Sequence, residues 1–198
     1  MKTGIFLFGG VEMDDAGAGP PAPTDRRYGP EEVWHATERI LDMGVLSDKL
    51  GVSSYWLPEH HFQYEGYEVV PNGMMLGGIL AERTTNIQIG MMFNVVGQWH
   101  PLKLAEDFAL LDQLSNGRVE VGIGRGIYGR EAINLNKEAD MKDQAKNFRL
   151  FEETLTILKK AWKEKFFNHK GEFYTYPAPD YVWQHDMSCL LYTSDAAD

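Results

Sequence analysis

Val121-Gly122-Ile123-Gly124-Arg125-Gly126-Ile127-Tyr128-Gly129-Arg130 is the stretch on which the choice of fold turns. An apolar run ends here in a literal Gly-x-Gly-x-x-Gly, Gly124 to Gly129, the spacing that cradles a pyrophosphate in dinucleotide-binding sheets. That reading requires a helix opening at the glycines and an acid about 20 residues later, closing a second strand. Residues 131–146 are polar and aperiodic, and no strand-like run follows them. The dinucleotide reading is therefore set aside. What survives is local chemistry. Gly-rich backbone lets an anion approach closely, and Arg125 offers a planar, permanently charged donor suited to phosphate. The competing reading of Arg125 is a surface side chain on a loop.

Upstream, apolar runs alternate with helical periods. Residues 3–8 form a short apolar run and predict a buried strand. Residues 9–29 are rich in Gly, Pro and Asp and predict a long loop. Pro30-Glu31-Glu32 opens a helix, with acids near the positive end of its dipole. Val33, Ala36, Ile40, Met43 and Leu50 follow its period, and Gly51 suits the left-handed position that ends it. A second strand is expected over 52–57, a helix capped by Asn72 over 73–82, and a third strand within 86–96. His100-Pro101 leads into a helix over 102–114, with Leu104, Phe108 and Leu111 on one face. Ser115-Asn116-Gly117-Arg118 is a turn, followed by a strand over 119–123. Phe148, Phe151, Leu155, Leu158, Trp162 and Phe166 mark a later helix. This βαβαβαβ order with near-continuous apolar strands predicts a parallel sheet covered by helices. Pattern alone leaves both an open doubly wound sheet and half of a (β/α)8 barrel standing.

Composition narrows the function classes. The chain has 198 residues, 43% hydrophobic and 24% charged, which excludes disordered, collagen-like and disulfide-dense classes. A formal net charge of −10 disfavours non-specific binding to nucleic acid or anionic lipid. No apolar run reaches the about 18 residues of a membrane-spanning helix, and the N-terminal apolar run is too short for a signal peptide. A cytoplasmic protein with no membrane or nucleic-acid partner is expected. Residues 189–198 resemble one reading frame of an adapter used in transposon-based sequencing libraries, and are expected to be a non-native tail. That tail holds Cys189, the single cysteine, which is accordingly assigned no chemistry. Residues 1–188 are taken as native, and the parent protein is expected to continue beyond them.

The second strand runs into Trp56-Leu57-Pro58-Glu59-His60-His61-Phe62. Neighbouring strand residues point to opposite sides, so His60 and His61 share one pocket only if the strand has already ended. An imidazole here suits proton transfer near neutrality, and the competing reading is a structural histidine hydrogen-bonded beside Glu59. A zinc site is disfavoured because no further ligands follow at metal spacing. His100 and His185 stand alone.

Leu57-Pro58-Glu59-His60-His61-Phe62, His100-Pro101, Ala105-Glu106-Asp107, residues 110–118 and Gly122-Ile123-Gly124-Arg125-Gly126-Ile127-Tyr128, in this order, resemble the bacterial luciferase-like flavin monooxygenases, near the alkanal monooxygenase branch. The likeness covers about residues 1–170. It implies a TIM (β/α)8 barrel with FMN at its C-terminal mouth, of which this chain carries about the first four βα units. It further implies that reduced FMN, supplied by a separate flavin reductase, reacts with O2 to oxygenate a small organic substrate such as an aldehyde. The resemblance makes His60 the active-site histidine, with His61 as its weaker neighbour. Arg125, with Gly126, falls at the FMN phosphate, and Met92-Phe93 on the stretch that carries a non-prolyl cis peptide beneath the flavin ring. Ile127 and Tyr128 fall on pocket-lining positions. A dimer is implied for the full-length protein.

Two departures qualify the likeness. Gly124 stands where the luciferases have a reactive cysteine, which points away from light emission more than from oxygenation. The loop over 9–29 is longer than theirs, and is read either as a lid or as a solvated insertion. A deazaflavin-dependent oxidoreductase of the same fold, and a flavin-binding protein without catalysis, are the alternatives. With about four of eight barrel strands, the isolated chain is expected to leave sheet edges unpaired and to be inactive.

Overall fold

The computed structural model describes residues 2–12, 28–63 and 65–178. In chain order the elements are β1 (Gly4–Phe6), α1 (Pro30–Lys49), β2 (Ser54–Leu57), α2 (Gly73–Arg83), β3 (Gln88–Met91) and β4 (Asn94–Val95). There follow α3 (Pro101–Ser115), β5 (Val119–Glu120), β6 (Ile123–Gly124), α4 (Gly129–Leu135), α5 (Gln144–Lys163), β7 (His169–Lys170) and β8 (Thr175–Tyr176). The chain divides into two compact units, Met1–Asn94 with Leu114–Gly124, and Val95–Gln113 with Arg125–Asp198. Residues 13–27 of the expected loop, His185, and the tail with Cys189 lie outside the described residues. No helix among the described residues is long and apolar enough to cross a membrane.

The first unit is built on a four-stranded sheet in the order β1-β2-β3-β5, every pair parallel. Register places Ile5 beside Tyr55, Tyr55 beside Ile89, and Ile89 beside Val119. Tyr55 and Ile89 are fully buried, so this row is the centre of the sheet's packed face. Helix α1 begins where its sequence says, with the Gly29 amide donating to Glu32 Oε2 at 2.9 Å. It ends at Gly51, whose φ of +73° suits the left-handed position. Ala36, Ile40, Leu41, Gly44 and Ser47 form its buried face. Leu50, expected on that face, lies past the last turn and is exposed. Asn72 caps α2 by accepting the Met75 amide at 3.1 Å.

Two ion-like clamps fix the start of β3. Asp48 accepts the amides of Thr85, Asn86 and Ile87 at 2.8–2.9 Å. Burial raises the Asp48 carboxyl, but those three amides and the Arg118 charge outweigh it and hold the group below its ordinary value. The Arg118 guanidinium donates to the carbonyls of Ala81 (2.8 Å), Thr84 (3.2 Å), Ile87 (3.0 Å) and Ser115 (2.7 Å), closing the C-terminus of α2. The strand expected over 119–123 is instead two short pieces, β5 and β6. A Cβ at Gly122 would stand 1.8 Å from the Met91 carbonyl oxygen, and the Gly122 carbonyl accepts the Asn94 amide at 2.9 Å, so the ladder gives way to a close backbone crossing.

In the second unit, the segment taken as aperiodic contains α4 and a 3₁₀ turn at Lys137–Ala139. Seven residues are too few to display a helical period, and α4 buries only Glu131 and Ala132. No parallel strand follows among the described residues, so the dinucleotide reading fails on that requirement and not on the missing helix. Helix α5 buries Asn147, Leu150, Thr154, Ile157, Leu158 and Ala161. The expected stripe was rotated relative to this face, since Phe148 is exposed and Phe166 lies beyond the helix. Trp162 packs edge-on against Phe108 and donates its indole N–H to the Ala105 carbonyl at 3.1 Å. The antiparallel β7–β8 hairpin is held by Glu153, which accepts the amides of Glu172, Phe173 and Tyr174.

Candidate functional site

In the first unit, β2 stops at Leu57, and residues 58–63 are irregular, with Phe62 at a φ of +57°. Strand alternation therefore no longer governs the two histidines, and each meets its own carboxylate. His61 Nε2 lies 3.2 Å from Glu59 Oε1, and Glu59 Oε2 accepts the Asn94 side-chain amide at 2.7 Å. Glu59 and Asn94 are buried, so His61 lies against a buried carboxylate, the contact that the structural reading of the histidine pair expects beside Glu59. His60 turns elsewhere. Its Nε2 is 2.5 Å from Glu68 Oε2, with the Glu68 side chain only 1% exposed and that of His60 18% exposed. His60 and Glu68 line a cleft of about 450 Å³ together with Tyr28, Phe62, Gln63 and Val69.

The same unit holds Met92 and Phe93. The peptide bond between them is cis, the geometry the resemblance implies, and the Met92 amide donates to the Leu57 carbonyl at 2.7 Å. Phe93 is exposed, and a Cβ on Gly124 would stand 3.2 Å from its own Cβ. The next residue, Asn94, keeps a buried side-chain oxygen with no hydrogen-bond partner among the described residues.

Arg125, Gly126, Ile127 and Tyr128 belong to the second unit. Arg125 is half-buried, its guanidinium 5.6 Å above the Phe148 ring, with Nη1 at 3.4 Å from both Gln144 Oε1 and Asn147 Oδ1. Asn147 is itself buried and donates to the Ala139 carbonyl at 2.9 Å. Arg125 thus lies against the start of α5 and is not a loose surface side chain. Gly126 has a φ of +86°, and a Cβ there would meet Val95 Cγ1 at 2.9 Å. Conformation and space both demand glycine. Tyr128 is half-buried as the N-cap of α4, with Arg130 over its ring, while Ile127 is exposed.

Two features escaped the sequence reading. Glu68 is the more important, and the available signal was an acid inside the apolar run Tyr67-Glu68-Val69-Val70-Pro71. The other is Gln98, whose two side-chain polar atoms are buried without partners among the described residues. His100, which no spacing tied to anything, meets the Tyr176 hydroxyl at 3.1 Å, and burial holds its pKa below the ordinary value. Among the described residues no group of three or more His, Cys, Asp or Glu side chains could hold a metal.

The family model for luciferase-like monooxygenases matches residues 1–186. The chain is similar to the oxygenase component of the flavin-dependent trigonelline monooxygenase of Acinetobacter baylyi, 30% identical over 140 residues, which take in 71% of this chain and 37% of that protein. It is 33% identical over 139 residues to the alkanal monooxygenase beta chain of Photorhabdus luminescens, covering 70% of this chain and 41% of that one. Its fold matches that of the oxygenating constituent of 3,6-diketocamphane monooxygenase of Pseudomonas putida, solved in complex with FMN. The TM-score is 0.70 at 24% identity, over 88% of this chain and 43% of that one. The chain spans about two-fifths of the length of these proteins.

Proposed function

The chain belongs to the luciferase-like monooxygenases and has their α/β fold, and from that premise we propose that its parent protein is the oxygenase component of a two-component, FMN-dependent system. One observation carries the reading: the turn after β2 delivers His60 to an open cleft, with its imidazole already paired to a buried carboxylate. Reduced FMN, supplied by a flavin reductase, would provide the two electrons with which O2 is split between the substrate and water.

The chain's own residues fit such a group. Among the described residues Arg125 makes two long side-chain hydrogen bonds, leaving donors for a phosphate, and the Gly126 backbone can come close to that anion. In the first unit, the exposed Phe93 offers an apolar ring at the Met92-Phe93 step. His60 would hold or move the proton, while His61, tied through Glu59 to Asn94, would position its surroundings. Ile127 and Tyr128 would contact a small organic substrate.

On this reading residues 1–188 are the N-terminal half of one TIM-barrel domain, and residues 189–198 are not native. The full-length protein is a cytoplasmic dimer, and the 198-residue chain alone is inactive. The test is reconstitution of the full-length protein with reduced FMN and, in parallel, reduced deazaflavin, following O2 uptake with candidate substrates. Substrate-dependent O2 uptake with FMN supports the reading. Hydride transfer from the deazaflavin without O2 uptake would replace it with the oxidoreductase alternative. Oxygenation that survives His60→Ala would remove the histidine's role.

A further inference from the structure

We propose that the cleft beside His60 admits an uncharged, hydrocarbon-rich substrate, and that Phe62 is the residue that selects for it. This deepens the oxygenase reading and rests on it, since a cleft that binds without reacting would be a ligand site only. Four of the residues that line the cleft, Val33, Phe62, Val69 and Pro71, are apolar. Among the described lining residues there is no Lys or Arg, and the one acid is Glu68. His60 is the one lining group able to carry a positive charge, and its Nε2 lies 2.5 Å from Glu68 Oε2, so any such charge already faces a carboxyl group. An anion entering here would leave water without meeting an uncompensated positive charge, whereas apolar surface gains by the same transfer. A cation fares no better, because the Glu68 side chain is 1% exposed and offers it no open face. A volume of about 450 Å³ lies toward the small end of ligand pockets and suits a compact molecule.

Phe62 is singled out by its backbone. Its φ of +57° lies in the left-handed region, uncommon for any residue with a Cβ and more so for a bulky one. Phe62 is nevertheless 53% exposed, so burial in the core does not account for the conformation. Hydrogen bonds hold the turn on both sides of it. The His60 amide donates to the Val70 carbonyl at 2.9 Å, and the Gln63 carbonyl accepts the Gly66 amide at 3.0 Å and the Tyr28 hydroxyl at 2.5 Å. Gln63 itself is buried. A large aromatic residue is thus kept in an unfavourable conformation by fixed neighbours, and what it lines is a cleft and not the core. Its ring supplies that cleft with a large apolar surface.

The experiment uses three six-membered rings that differ in charge: cyclohexanone, cyclohexanecarboxylate and cyclohexylammonium. Their binding to the full-length protein, without turnover, is measured by calorimetric titration for wild type and Phe62→Gly. Glycine adopts a φ of +57° without strain, which offsets its greater freedom in the unfolded chain, so the variant should melt close to wild type. In the wild type, cyclohexanone should bind about tenfold or more tighter than either charged ring, and its Kd should weaken about tenfold or more in Phe62→Gly. A charged ring that binds the wild type as tightly as cyclohexanone, or cyclohexanone that does not bind, overturns the proposal without any variant. An unchanged cyclohexanone Kd in Phe62→Gly also overturns it, as does a fall in melting temperature that accounts for the lost binding. Binding of the neutral ring with no O2 uptake on adding reduced FMN would remove the proposed function and leave the site standing. O2 uptake with rings bound regardless of charge would do the reverse.

Discussion

Replacing Arg125 by Gln separates phosphate binding from folding with unusual clarity. Among the described residues the guanidinium makes two contacts at 3.4 Å, the outer limit of a hydrogen bond, and lies 5.6 Å above Phe148. Long, half-exposed contacts of this kind contribute about 1 kcal/mol or less to stability, and Gln keeps part of the side chain's packing. A phosphate held by the freed donors would be bound through charge-assisted hydrogen bonds of about 1.5–3 kcal/mol. At 1.4 kcal/mol per decade, that predicts an FMN Kd weaker by roughly 10- to 150-fold. Riboflavin, which has the same ring and no phosphate, should bind wild type and Arg125→Gln within about twofold of each other. The assay is quenching of flavin fluorescence in the full-length protein, with thermal melting alongside. Equal losses for FMN and riboflavin, or a fall in melting temperature that accounts for both, would refute the assignment of Arg125 to the phosphate.

Two further perturbations test the scaffold. Arg118→Met leaves the carbonyls of Ala81, Thr84, Ile87 and Ser115 without their donor, and should cost about 3 kcal/mol, read as a melting temperature lower by about 6–12 °C. A shift below about 2 °C would mean water replaces the guanidinium freely. Asp48 is held below its ordinary value of 3.8, so its contribution is complete above that value and is lost as pH falls through the lower, folded one. Asp48→Asn should therefore lower stability at pH 7 and flatten its dependence on pH below about 4, measured by denaturant titration across that range. An unchanged acid limb would separate Asp48 from the three amides it accepts.

Much of the scaffold was legible because its signals are local. Pro30, the Asn72 cap, Gly51 and the apolar runs of β1 to β3 each act within a few residues, and the structure keeps them all. The face of α5 was misread because two of its buried positions are polar. Asn147 is buried to bind the Ala139 carbonyl and meet Arg125, Thr154 is buried beside it on that face, and Phe148 is exposed beneath the same arginine. A hydrophobic period cannot find a face built partly from polar side chains. Likewise, the break between β5 and β6 depends on Gly122 meeting the Met91 carbonyl, a contact between segments distant in sequence. His60 and His61 are adjacent letters, but they meet different carboxylates, Glu68 and Glu59, and Glu68 and the Asn94 that bonds Glu59 come from elsewhere in the chain.

The central claim is that His60 serves oxygen chemistry on reduced FMN. The direct measurement is stopped-flow O2 consumption by the full-length protein with reduced FMN and a panel of small aldehydes and ketones, wild type against His60→Ala at equal flavin occupancy. The account predicts substrate-dependent O2 consumption in the wild type and a loss of about a hundredfold or more in the variant, with flavin still bound. Equal rates in the two proteins would contradict it.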